Sequence, residues 1–140
     1  MRLFDLIQGG HLAAFFIGVF FLSATGLQSQ EHQLRVMFYN VENLFDTINQ
    51  PDVADEDFTP QGRYGHNSSR YVTKVKNLRR VIDTTFDDSF PSLIGLAEVE
   101  NRQVLRDLVN AGEGSWRIVH RDSPDGRGID NALLFDAKEL

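Results

Sequence analysis

Two polar residues with the potential for chemistry each follow an apolar segment of the chain. Asn40 ends a segment rich in β-forming residues (34–39), and Glu98 directly follows the apolar run at 93–97. A buried carboxylate in such a setting needs a partner, and a hard divalent cation is one such partner. A solvated carboxylate or a salt bridge also fits Glu98, and a turn-forming role also fits Asn40.

The order of the surrounding elements predicts that these two residues meet. The pattern of apolar residues indicates a strand at 34–39, an amphipathic helix at 70–86 and a buried strand at 93–97. A strand–helix–strand crossover makes the two strands parallel, so both end at the same edge of the sheet. We therefore expect Asn40 and Glu98 to be neighbours at that edge, where ligands of open α/β sheets bind.

The remaining segments are assigned from the same kinds of pattern. The helix at 70–86 is expected to have Ser68 or Ser69 as its cap, and its basic residues are expected to form a solvated face: Arg70, Lys74, Arg79 and Arg80. Later elements are a helix at 103–109 and strands at 116–120 and 132–135. His120 has no second histidine at ligand spacing, which favours a hydrogen-bonded structural histidine over a metal ligand.

A long polar loop separates the first strand from the helix. It covers residues 46–69 and contains prolines, glycines and an acidic group made of Asp52, Asp55, Glu56 and Asp57. The acidic group lacks the spacing of a calcium-binding loop, so its charges are predicted to be solvated.

Composition excludes several classes of function. The chain has 140 residues, a net charge of -6 and no cysteine. The acidic balance argues against a protein that coats nucleic acid electrostatically, although it is compatible with an enzyme that acts on phosphates through a metal. The lack of cysteine excludes disulfides, thiolate zinc sites and cysteine nucleophiles.

The amino-terminal residues have the layout of a secretory signal peptide. A basic residue near the start is followed by an apolar run at 12–22 and then by small and polar residues. The run is shorter than the ~20 residues that cross a bilayer, which favours a cleaved signal over a membrane anchor. We predict a signal peptide at 1–29, with cleavage before Leu27 or Gln30, and a mature part at 30–140 that is periplasmic or extracellular.

Three clusters of residues form a pattern when they are taken together. They are FYNVENLFD at 38–46, GLAEVENR at 95–102 and HRDSPDGRGIDNALLF at 120–135. In this order they resemble secreted bacterial members of the endonuclease/exonuclease/phosphatase family, which has the deoxyribonuclease-I-like fold. The resemblance covers residues 34–136. It implies the α/β class and a four-layer α/β sandwich, two β-sheets flanked by helices, that is incomplete in this chain.

The resemblance also implies roles for particular residues. Glu98 matches the family glutamate that binds the catalytic Mg²⁺ or Mn²⁺, and Asn40 matches the asparagine that supports the metal and the phosphate. Asp130 and Asn131 fall where family members line the substrate cleft, and Arg127 is expected to meet a phosphate oxygen. The family's general base is a histidine oriented by an aspartate in the carboxyl-terminal half of the domain, which has no counterpart here.

The activity implied by the resemblance is metal-dependent hydrolysis of a phosphodiester, with nucleic acid or another phosphodiester as substrate; no protein partner is inferred. A phosphatase or lipid phosphodiesterase of the same fold is the alternative among enzymes. A non-catalytic module is the alternative from another class, because half a sandwich leaves an apolar sheet face uncovered. Glu42 and Glu100 belong to the same motifs, and the sequence leaves open whether they face the metal or brace a loop.

Overall fold

The computed structural model describes residues 33–87 and 89–140. Its elements in chain order are β1 (Val36–Leu44), a 3₁₀ turn (Glu56–Phe58), α1 (Ser68–Thr84), β2 (Leu93–Val99), α2 (Arg102–Asn110), β3 (Trp116–His120) and β4 (Asp130–Asp136). The signal peptide predicted at 1–29 and its cleavage site lie outside the described residues. Within the described ranges, no helix is both long and apolar enough to span a bilayer.

The four described strands form one sheet in the order β1-β2-β4-β3. Strands β1 and β2 are parallel, and β4 is antiparallel to both of its neighbours. Since α1 connects the parallel pair, the predicted crossover is confirmed. The mixed α/β class is confirmed as well, whereas the four-layer sandwich stays a prediction, because the described residues contain a single sheet.

Both helices cover the same face of this sheet. The core contains side chains from both helices and all four strands: Val41, Leu44, Val75, Leu78, Ile82, Ile94, Leu96, Val99, Val104, Leu105, Leu108, Trp116, Ala132 and Leu134. On the other face, Phe38 is 77% exposed and its ring lies over Gly95. A Cβ at Gly95 would come within 2.8 Å of that ring, so a larger residue at this position would require the exposed Phe38 ring to move.

Helix α1 is capped by Asn67. The Asn67 side chain accepts a hydrogen bond from the backbone N–H of Arg70, and the Asn67 backbone is extended. The prediction of Ser68 or Ser69 as the cap is wrong, because these two serines already belong to the first helical turn. Asparagine caps a helix through the same contact that serine would make.

The prediction that Arg79 belongs to a solvated face of α1 is wrong. Its side chain is 2% exposed, and its Nε donates to Asp83 over 2.8 Å. Its Nη1 donates to the carbonyl of Val109 over 2.9 Å, and its guanidinium carbon lies 4.6 Å from the centroid of the Trp116 ring. Arg79 therefore ties α1 to the end of α2 and to β3, as a buried cation stabilised by hydrogen bonds and an aromatic face.

The prediction that the acidic side chains of the loop are solvated is wrong for Asp55. This residue is 2% exposed, and its Oδ2 accepts a hydrogen bond from the backbone N–H of Gln50 over 2.9 Å. Asp52 and Glu56 are exposed as expected. Asp55 is buried because the loop folds back towards the residues after β2, where the Gln50 side chain donates to Glu100 over 3.0 Å.

Candidate active site

Strand β2 has a bulge at Glu98. Its pairing with both neighbouring strands shifts register between Ala97 and Val99, and Glu98 itself has a φ of 65°. Before the bulge, Ile94 and Leu96 face the core; after it, Val99 does. The bulge therefore turns Glu98 out of the core while Val99 stays in it, an effect that bulges often have beside functional sites.

The facing end of β1 is irregular in a related way. Glu42 and Asn43 have φ angles of 53° and 59°, and regular pairing resumes at Leu44. Left-handed backbone costs a non-glycine residue on the order of 1 kcal/mol. Within this turn the backbone N–H of Asn43 donates to Glu98 Oε2 over 3.1 Å, and that of Glu42 donates to Asn40 Oδ1 over 2.8 Å. The strained turn thus directs backbone N–H groups at both predicted site residues.

Asn40 and Glu98 are in direct contact. Asn40 Nδ2 donates to Glu98 Oε1 over 2.9 Å, so each carboxylate oxygen accepts one hydrogen bond from the protein. The prediction that the crossover makes these residues neighbours is confirmed, while their catalytic and metal-binding roles stay predictions. Because Asn40 Oδ1 accepts from the backbone, the contacts of Asn40 are those of a residue that holds Glu98 in place.

A pocket of about 240 Å³ at this edge of the sheet is lined by all five predicted site residues: Asn40, Glu98, Arg127, Asp130 and Asn131. Asn40, Ala97 and Asn131 are register partners across β1, β2 and β4, so they form a row on the face away from the helices. The loop between β3 and β4 supplies the rest of the lining with Ser123, Asp125 and Ile129. The fold thus brings together residues from distant parts of the chain.

Arg127 is paired with Asp125 within this pocket. Its Nε and Nη2 donate to the two carboxylate oxygens over 3.1 and 2.8 Å, and its backbone N–H also donates to that carboxylate. These hydrogen bonds lower the pKa of Asp125 to about 2 and raise the pKa of Arg127. To bind a phosphate through the same two N–H groups, as the resemblance implies, Arg127 has to exchange Asp125 for the phosphate.

Asp130 is buried and fixes the loop that carries Arg127. Its Oδ1 accepts from the backbone N–H of Ser123 over 2.7 Å, and its Oδ2 lies 2.9 Å from Nε2 of His120. His120 is thus hydrogen-bonded within the fold, as the sequence favoured. Ligand atoms of His120, Asp122 and Asp130 lie within 4.8 Å of one another, so this cluster is a second group of side chains that could hold a metal ion.

Lys74 lies beside the site, whereas the sequence patterns predicted only a solvated position for it. Its Nζ donates to the carbonyl of Asn43 over 3.1 Å and to the carbonyl of Glu42. Burial lowers the pKa of Lys74, and the carboxylates of Glu42 and Glu98 oppose that effect. A signal was present in the sequence, because Lys74 lies one helical turn before the buried Leu78 and so falls within the apolar stripe of α1.

Glu100, the second glutamate after β2, braces the loop. It is 4% exposed, and its oxygens accept from the backbone N–H of Asp46 over 2.6 Å and from Nε2 of Gln50 over 3.0 Å. Burial raises the pKa of Glu100 to about 7; the nearby carboxylates of Asp46 and Asp55 raise it further, and the two hydrogen bonds oppose the shift. The sequence left open whether Glu100 faces the metal or braces the loop, and its contacts show that it braces the loop.

The oxygen atoms at the bulge suit a hard divalent cation. Each Glu98 oxygen accepts one hydrogen bond and keeps further acceptor capacity. Mg²⁺ binds through one or two carboxylates and otherwise keeps water, so few protein ligands are needed. The residues present fit Mg²⁺ or Mn²⁺.

The fold and this pocket define an α/β protein with a polar, charged site at the carboxyl edge of a parallel strand pair. A model of the endonuclease/exonuclease/phosphatase family matches residues 35–140, and the chain belongs to that family. Members of this family are generally hydrolases. No curated protein and no solved structure matched the chain. The resemblance is confirmed for the family, and the secreted bacterial branch stays a prediction.

Proposed function

We propose that this protein is a divalent-metal-dependent phosphodiester hydrolase that acts on nucleic acid outside the cytoplasm. One observation carries the proposal: the Glu98 carboxylate is turned out of the core by a bulge and fixed through both of its oxygens beside Arg127 and Asp125. Such preorganisation of a charged group suits a metal ligand, whose position must be held without rearrangement. Residues 30–140 are proposed to form the amino-terminal part of the domain.

Glu98 is proposed to hold Mg²⁺ or Mn²⁺, with Asn40 keeping the carboxylate in register. When bound, the ion would supply neutralisation of the charge that develops on the phosphate as water attacks. Asn131 lies in the same row as Asn40 and offers a second carboxamide to phosphate oxygens. Arg127 would bind the phosphate after releasing Asp125, and Asp130 would keep the Arg127 loop in place.

A polymeric substrate is favoured by the groove next to this pocket. The groove has a volume of about 930 Å³, runs beside α1 and shares Asn40 with the smaller pocket. Its lining includes the exposed side chains of Arg70 and Arg80. Cations in a groove next to the reacting centre suit the phosphates that flank a cleavage point in a nucleic acid strand.

The activity is tested by replacing the two glutamates that differ most in their surroundings. In the complete protein, we expect Glu98→Ala to reduce Mg²⁺-dependent cleavage of nucleic acid by about 10³-fold, because the carboxylate at the bulge is lost. Glu56→Ala, in the exposed part of the acidic loop, should leave cleavage unchanged. Equal effects of the two substitutions, or cleavage that persists after chelation of divalent metal, would contradict the proposal.

The class of substrate is tested separately. We expect Mg²⁺-dependent cleavage of DNA or RNA and little phosphate release from a small phosphomonoester. The reverse result would make the protein a phosphatase of the same family.

Export is tested by the intact mass of the secreted protein, which should correspond to a chain that starts at Leu27 or Gln30. A chain that keeps Met1 would contradict export through a cleaved signal.

A further inference from the structure

The ammonium group of Lys74 contacts the strained turn at the end of β1. Its Nζ donates to the backbone carbonyls of Glu42 and Asn43, across a separation of about 30 residues in the chain. Lys74 itself is half-buried, in the first half of α1. A long side chain whose charged end meets two main-chain carbonyls gives up both hydration and rotamer freedom, so the contact has a free-energy cost that the fold must recover.

The turn needs such a contact because its backbone leaves the strand ladder. Pairing of β1 with β2 is regular up to Asn40 and resumes at Leu44. Between these residues, Glu42 and Asn43 adopt left-handed φ angles of 53° and 59°, each costing about 1 kcal/mol or more. An ammonium that binds both carbonyls favours this conformation over an extended one, because an extended strand would direct successive carbonyls to opposite sides.

The turn in turn positions the carboxylate of Glu98. The Asn43 residue that gives its carbonyl to Lys74 gives its N–H to Glu98 Oε2. The path from Nζ to the carboxylate therefore runs through a single residue. Were the turn to relax, the hydrogen bond to Oε2 would be lost, and only the bond from Asn40 would orient Glu98.

We propose that Lys74 is a positioning residue for the metal site: by holding the left-handed turn at Glu42 and Asn43, it fixes the backbone N–H that orients Glu98. This inference rests on the proposed function, in that Glu98 is taken to hold the divalent metal. It assigns to Lys74 no contact with substrate or metal. Its effect is on the geometry of the ligand and hence on metal affinity.

The test uses the full chain, with Mn²⁺ alone as the probe and electron paramagnetic resonance to count free Mn²⁺. We expect Lys74→Met to weaken Mn²⁺ binding by about tenfold, the usual effect of losing a residue that orients a metal ligand. Lys74→Arg, which keeps the charge and the donors, should recover most of the affinity. Lys76→Met, an exposed lysine of the same helix, is the matched control and should bind Mn²⁺ as the wild type does.

A second measurement reports on the turn without any metal. Hydrogen exchange of the Asn43 amide should be faster in Lys74→Met and unchanged in Lys76→Met. Lys74→Gln can donate to one carbonyl, so its Mn²⁺ affinity and its exchange rate at Asn43 should lie between those of Lys74→Met and Lys76→Met. This variant keeps the test decisive if Lys74→Met does not fold. Unchanged Mn²⁺ affinity in the Lys74 variants would overturn the inference, with or without faster exchange at Asn43.

Failure of the inference is distinguishable from failure of the proposed function. If Glu98→Gln leaves Mn²⁺ binding of the wild-type chain intact, Glu98 is not the metal ligand and the proposed function fails. If Glu98→Gln removes Mn²⁺ binding but Lys74→Met does not weaken it, the proposed function stands and the role of Lys74 is refuted.

Discussion

Glu98 and Glu100 lie two residues apart in one motif, yet they occupy opposite environments. Strand alternation alone would put both on the side of Ile94 and Leu96, which face the core. The bulge at Glu98 turns that carboxylate towards the pocket, whereas Glu100 is buried against the folded-back loop. A local irregularity of the backbone, more than the type of side chain, therefore distinguishes a candidate metal ligand from a structural carboxylate.

The largest expected difference between the two glutamates is in stability. Glu100→Ala should lower the free energy of unfolding by about 3 kcal/mol, because it leaves the N–H of Asp46 and the amide of Gln50 without their acceptor. Glu98→Ala should lower it by less than about 1 kcal/mol, since Glu98 is partly exposed and its partners reach water. Urea unfolding below the raised pKa of Glu100, where its contribution to stability is still present, measures both. Similar losses of unfolding free energy in the two variants would show that Glu98 and Glu100 do not differ in their contribution to stability.

The second difference is in pH dependence. Burial raises the pKa of Glu100 from 4.5 to about 7, so the folded state binds this proton more tightly than the unfolded state. Its contribution to stability is therefore fully present below the unfolded pKa and is lost as pH rises through about 7, a loss on the order of 2 to 3 kcal/mol. Urea unfolding at several pH values between 4.5 and 7 should show this decline.

The control for the pH effect is a pair of uncharged replacements. Glu100→Gln cannot titrate, so its stability should decline less than that of the wild type over the same pH range. Glu56→Gln changes an exposed carboxylate and should keep the wild-type decline. If Glu100→Gln keeps the full decline, the titrating group lies elsewhere and the contrast with Glu98 loses its electrostatic part.

Much of the fold could be predicted from the periodicity of apolar residues, and the largest exception, at the end of β1, lies at a bulge. The crossover and β3 follow their patterns, but β1 was predicted at 34–39 and runs to Leu44, and β2 was predicted at 93–97 and runs to Val99. Alternation stops at the bulged residues, so the pattern ends before the strand does. A single sequence does not mark where a strand continues with altered direction.

The third prediction concerns the strain at the end of β1. Glu42→Gly should leave stability unchanged or raise it by up to about 1 kcal/mol, because glycine adopts φ of 53° without steric cost and this offsets its greater freedom in the unfolded chain. Arg80→Gly, on the exposed side of α1, should instead lower stability by about 1 kcal/mol. Thermal unfolding measures both, and equal losses would show that Glu42 carries no strain.

The candidate site divides in the same way between predictable and unpredictable parts. Topology alone predicts that Asn40 and Glu98 meet, because parallel strands end at one edge. The pairing of Arg127 with Asp125 could not be predicted, since it depends on the conformation of the loop between β3 and β4, which has no periodicity. The hydrogen bond from the backbone N–H of Ser123 to Asp130 depends on the same loop.

The smallest expected effect concerns Asp125 in that loop. This carboxylate is partly exposed, and its pKa is lowered, whereas the pKa of the buried Glu100 is raised. Hydrogen bonds from Arg127 hold the Asp125 pKa at about 2. Arg127→Ala should return it towards its ordinary value of 3.8, so that Asp125 loses its charge at a higher pH than in the wild type. Titration of the carboxyl carbon by NMR measures the shift, and the exposed Asp122 serves as control. An Asp125 pKa that stays near 2 in the variant would show that its charge is stabilised by the loop backbone, and Arg127 would then be free to bind phosphate without an exchange of partners.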